Sequence, residues 1–179
     1  MLFLMLTLLA ASPATSPPGR PTLQAAVQVG DGRVLGVLGS VDANQIESAK
    51  LAATKATHKR VRDLAGLLLR DHQRSLERNA ELARQLRLTR LLPDDSVMAR
   101  THLELMVRLN LLSGEEFDRA YLQSVIADHE AVRHEITTEL LPGASRSRVK
   151  DYVRKTRVTL EAHLVATRAL VAALPGSGH

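Results

Sequence analysis

Cysteine and tryptophan are absent, and two Phe and two Tyr are the only aromatics in 179 residues. Without Cys there is no disulfide scaffold, thiolate zinc site, iron–sulfur cluster, covalently attached c-type haem or lipidated cysteine. So few aromatics argue against a β-sandwich or barrel, whose strands draw heavily on Tyr, Phe and Trp beside Val, Ile and Thr. The core must be aliphatic. Lysine is also scarce, supplying 5 of the 24 basic residues against 19 acids, and the net charge is +5. Those charges are interspersed rather than gathered in a block, which reads as a solvated, mildly basic surface. With almost nothing to stack on bases, a nucleic-acid partner is not expected. No Gly-x-Ser-x-Gly elbow or phosphate-cradling loop occurs either, so an enzyme working without a cofactor is not expected. What is present is 45% apolar residues, enough for a sizeable core in one domain.

Long hydrophobic runs are missing as well. The run over residues 2–11, LFLMLTLLAA, is shorter than the ~20 residues that span a bilayer. It is followed by Ser12-Pro13-Ala14, small residues suited to cleavage after Ala14. Residues 1–14 read as a secretory signal peptide, although no Lys or Arg precedes the run; a retained N-terminal anchor is the alternative. Either places the domain outside the cytoplasm, with no integral span after cleavage. Residues 15–30 form a spacer, Pro-rich at TSPPGRPT, the domain follows over 31–174, and 175–179 are a tail.

Within 31–174 the apolar residues recur at helical spacing. The first helix begins at Asp31 or at Asp42, where Gln45 completes a capping-box pattern, with a short hairpin around Gly30-Asp31-Gly32 as the alternative. A break at Thr57 or His58 precedes a second helix to about Leu88, striped by Val61, Ala65, Leu68, His72, Leu76, Asn79 and Leu82. Leu91–Ser96 separate it from a shorter helix over about 96–112. Ser113-Gly114-Glu115-Glu116 then forms a capping box, with Leu112 and Phe117 as its hydrophobic staple. The helix it opens carries Asp118, Leu122, Val125, His129, Val132 and Ile136 inward and ends before Pro142-Gly143. The last helix runs over about 147–173 with Val149, Tyr152, Leu160, His163 and Leu170 on one face. Long helices with brief connections predict an all-α antiparallel four-helix bundle with an additional short helix.

Three polar residues sit where apolar ones are expected: His72, His129 and His163, one near the middle of each long stripe. Imidazole is the commonest transition-metal ligand, and bundle cores are where such sites are built. The competing reading is three buried histidines bonded to neighbouring helices and fixing register. Imidazoles more than ~8 Å apart could not share an ion, because metal–nitrogen bonds are ~2 Å. Asp118 lies on the His129 stripe, but eleven residues is ~16 Å of helix, too far to share an ion with it. The Glu-x-x-His pairs of di-iron bundles are absent. Met98, His102 and Met106 at i, i+4, i+8 could make a soft copper face, against the commoner use of Met as core filler. Asp71-His72 and Asp128-His129 occur in similar settings and suggest a faint internal repeat.

Glu47, Leu64-Ala65 with Asp71-His72, Ser113-Gly114-x-x-Phe117-Asp118-x-x-Tyr121-Leu122, His129 and His163-Leu164 occur in an order that resembles the exported ferritin-like family termed domain of unknown function 4142, over about 31–174. The chain departs from it at Leu64, Leu68 and Val158, where Phe, Met and Pro are usual. The resemblance implies a ferritin-like bundle in the periplasm or at the outer membrane of bacteria, with no established activity, and it adds Glu47 to the candidate ligands. The expected function is an exported, non-enzymatic binding or structural module, with envelope partners or self-association open. The candidate metal ligands are His72, His129, His163, Glu47 and Asp118. The alternative is an iron-dependent redox enzyme of ferritin type.

Overall fold

A computed structural model describes residues 23–88 and 97–174, and among these every regular element is helical. The expected signal peptide, the segment through residue 22, the expected Leu91–Ser96 caps and the tail lie outside the described residues. Helix α1 spans Leu23–Lys55 and α2 spans Lys59–Gln85; α3 is Val97–Leu111 and α4 is Gly114–Glu135. A π-helical turn, Ile136–Leu140, carries α4 on into a short α5, Leu141–Gly143, before α6 takes Ser147–Ala173.

Two boundaries differ from the sequence reading. Helix α1 begins at Leu23, ahead of both Asp31 and Asp42, so the spacer's last residues are helical and no hairpin forms around Gly30. Helix α4 itself ends at Glu135, but the helical path runs on through the expected stop, because the π turn and the single α turn of α5 accommodate Pro142 near the start of a new turn, where its missing N–H is tolerated. The last helix matches its expected span.

The side-chain contacts fix the topology. Asp31, early in α1, receives the amides of Ser145 (2.8 Å) and Arg146 (3.4 Å) at the start of α6. Asp118, early in α4, receives those of Thr57 (3.0 Å) and His58 (2.7 Å) at the start of α2. Each carboxylate satisfies amides that a helix start leaves without partners and complements its dipole. Helix α1 therefore runs antiparallel to α4, and α2 to α6. Lys55 at the end of α1 donates to the carbonyls of Leu109 and Asn110 at 2.9 and 2.7 Å, so α3 runs alongside α1 and returns the chain along the bundle. Four long antiparallel helices with one crossover is the ferritin-like arrangement.

The two caps relate the α1–α2 pair to the α4–α6 pair. Eleven residues after Asp31 and Asp118, about three helical turns and so on the same face, stand Asp42 and His129. The apparent repeat of Asp71-His72 and Asp128-His129 does not follow this relation, since α2 is the second helix of its pair and α4 the first.

Gly30 meets the Gly143 carbonyl, where an added Cβ would come within 2.9 Å. At the opposite end Gly114 opens α4 with φ +59°, a conformation that favours glycine. Ser113 holds the N-cap position, yet its side chain makes no capping bond; the expected capping box is not formed. Leu112 and Phe117 of the staple do share one apolar cluster.

The core is aliphatic and split in two. One cluster gathers Val34, Leu38, Val41, Val132, Ile136, Val149 and Leu160. The other gathers Ala52, Val61, Leu68, Phe117, Leu122 and Leu170. Along every long helix a polar residue separates them: Asp42 on α1, His72 on α2, His129 on α4 and His163 on α6.

Candidate metal centre

The polar layer exists because each of its members stands on the inward stripe of its helix, between apolar residues that hold both flanking turns against the core. His72, His129 and His163 are 3%, 1% and 3% exposed. Their ring centroids are 5.3–5.5 Å apart, and each offers a ligand nitrogen within 4.8 Å of the other two.

Every ring is oriented by an acceptor on its far side. His72 Nδ1 is 2.8 Å from Asp42 Oδ1, itself buried. His163 Nε2 is 3.1 Å from Asp71 Oδ2. His129 makes a backbone hydrogen bond with Val125, one turn earlier. A ring nitrogen facing a carboxylate or carbonyl carries the proton, so in the neutral imidazole the opposite nitrogen is a bare lone pair. That leaves His72 Nε2, buried without a partner, and His163 Nδ1 facing His129 Nε2 at 3.2 Å. Three nitrogens, each with its lone pair free, converge between two aliphatic clusters.

Protons are a poor solution to that convergence. Burial, reinforced by the neighbouring rings of His72 and His163, holds His129 well below the usual histidine range. Burial also lowers His163, against the opposing effect of the Asp71 hydrogen bond. A metal ion suits the arrangement. Two imidazoles on one tetrahedral ion with bonds of ~2.0–2.1 Å stand ~3.3 Å apart, close to the 3.2 Å between His129 Nε2 and His163 Nδ1. Imidazoles backed by carboxylates or carbonyls are the usual outer shell of metal-binding histidines.

The remaining candidates lie elsewhere. Glu47 is on the exposed side of α1 and pairs with His102 Nε2 at 3.0 Å, and Asp118 is occupied at the start of α2. Neither reaches the three imidazoles. His102 is thereby committed to Glu47, Met106 is half-buried, and the side chain of Met98 lies outside the described residues, so no copper face can be drawn on α3.

Two carboxylates escaped the sequence reading as site residues. Asp42 looked like a cap because Gln45 follows it; in the bundle Gln45 instead donates to Asp128 at 2.9 Å, a carboxyl that burial pushes up. Asp71 is offset from the stripe of His72 and was named only as its neighbour in sequence, but α6 brings His163 to it. The one legible signal for Asp42 was its place in an apolar run three turns from Asp31.

Asp42, Asp71 and His72 also line a cleft of about 180 Å³ between α2 and α6. Its walls carry Tyr152, Ser75, Arg74 and Lys155. Burial and the nearby Asp42 charge push Tyr152 up to about 12, so it is a neutral hydroxyl, placed 3.1 Å from Ser75 Oγ.

Fold and layer together define a ferritin-like helical bundle with a buried cluster of three histidines. The chain belongs to the family described as a domain of unknown function, DUF4142, whose sequence profile matches residues 16–170. Among solved structures it is similar to a protein of Streptomyces coelicolor described as a secreted DUF305 protein, with a TM-score of 0.63 and 16% identity over 82% of this chain and 93% of that one; this likeness shows the fold. No curated protein matches.

Proposed function

We propose that this protein is an exported bundle that binds one divalent transition-metal ion through His72 Nε2, His129 Nε2 and His163 Nδ1, as a binding module rather than an enzyme. The observation that carries the reading is the convergence of those three buried nitrogens, each ring held by an acceptor on its far side. An all-imidazole set suits zinc, copper, nickel or cobalt. Asp42 and Asp71 act on the metal through the rings, by orienting them and raising their basicity. The cleft beside His72 gives an exogenous ligand a path towards the site. The export signal read over residues 1–14 supports a place in the periplasm or at the outer membrane; the secreted description of the structural neighbour is in keeping with export alone.

The iron-dependent redox alternative fits less well. Di-iron bundles bind through several carboxylates, whereas the described cluster offers three imidazoles and no carboxylate ligand. Metal analysis and titration calorimetry on the purified protein, with His72→Ala beside it, test the proposal. The expected result is one zinc or cobalt ion per chain in the wild type and none in the variant. A wild-type protein that takes up none of zinc, copper, nickel and cobalt would leave the histidines as packing groups.

A further inference from the structure

Helix α3 shows an apolar stripe to solvent. Leu103, Val107 and Leu111, at i, i+4 and i+8, are 66%, 55% and 82% exposed. With Leu112 they wall a groove of about 500 Å³ whose polar edge is Glu104 and Arg108. Scattered apolar residues on a surface need no explanation, but a continuous stripe does. The helix is not loosely placed. Its opposite side is anchored by the buried Leu109, by His102 on Glu47, and by Lys55 on its last carbonyls. Glu104 and Arg108 stand one turn apart on the same flank of the stripe, a spacing at which such residues commonly pair. Here neither side chain has a partner among the described residues.

We propose that this face joins two copies of the chain, α3 crossing α3 antiparallel about a two-fold axis at Val107. The symmetry brings Val107 against its own counterpart and Leu103 against the second copy's Leu111. It also sets each flank against the same flank, so Glu104 meets the second copy's Arg108 and the reverse, forming two ion pairs. A parallel pairing would instead place this flank against the one carrying Met106 and Asn110 and leave both charges unmatched. The sequence of the face is therefore complementary to itself in the antiparallel sense. A single helix pair is a contact of the smallest class, so the dimer is weak and concentration-dependent.

The inference is independent of the metal reading and is tested on metal-free protein by sedimentation equilibrium over concentrations reaching ~1 mM, where so small a contact is populated. The wild type should dimerise and Val107→Asp should stay monomeric. Glu104→Arg, which turns both pairs repulsive, should weaken association roughly tenfold. Adding Arg108→Glu to it should restore wild-type association. All three sites face solvent, so the variants keep the fold, and matching circular dichroism melts verify this. A wild type that is monomeric throughout, a dimer indifferent to Val107→Asp, or a charge reversal that the second substitution does not rescue would each overturn the proposal.

Discussion

His129 Nε2 stands 3.2 Å from His163 Nδ1, although α4 and α6 bring these residues together across 34 positions of sequence. Asp71 fixes the proton of His163 on its far nitrogen, so the near one faces His129 as a lone pair. Two such nitrogens repel each other, and with His72 completing the triangle they are held at this distance by the packing of α4 against α6.

Removing the imidazole of His72 strips the partner from a buried carboxylate. His72→Ala should cost about 3–5 kcal/mol of stability without metal and abolish metal uptake. Urea unfolding and calorimetry measure the two effects separately. Asp42→Asn should keep the ion but weaken its binding by about 10–100-fold, as loss of an orienting partner does; unchanged affinity would detach Asp42 from the site.

The metal-free protein should lose stability as the pH falls below about 6.5. His129 and His163 have folded pKa values below the ordinary histidine value. Below that ordinary value the unfolded chain takes up protons that the native state does not, which favours unfolding. Denaturant midpoints between pH 8 and pH 5 show this directly, and a replacement of both histidines by Gln should flatten the profile.

Asp118→Ala should destabilise the bundle by roughly 1–3 kcal/mol, by stripping the acceptor from two amides, while metal affinity stays unchanged. Were Asp118 a ligand, affinity would collapse with stability, so one titration of the variant separates the two roles.

Glu47→Ala is expected to shift stability by less than about 1 kcal/mol, since its pair with His102 is solvent-exposed on the Glu47 side. A large drop in metal binding by this variant would bring Glu47 back among the ligands.

Gly30→Ala tests the near end of the bundle. The added methyl would lie 2.9 Å from the Gly143 carbonyl, which belongs to backbone and cannot swing away. A loss of about 1–3 kcal/mol is expected. An unchanged melting temperature would mean that α1 and the α4–α6 turn are not in such close contact.

The sequence alone determined the local matters. Aliphatic residues at helical spacing required helices, the scarcity of aromatics required a Leu- and Val-based core, and three histidines on inward stripes had to be buried. These follow from periodicity, which tells which way a side chain faces. The ordered residues from Glu47 to His163 also marked the family. Periodicity does not tell which helix lies opposite or at what height, and so the tertiary structure decided the rest. It brought three stripes to one level, turned Asp42 from an expected cap into the partner of His72, and gave Asp71 to His163. It also sent Asp118 to the start of α2 and left Glu47 outside. The supporting carboxylates were illegible because an Asp is oriented by whatever donor the fold delivers to it, and those donors come from helices 30 to 115 residues away along the chain.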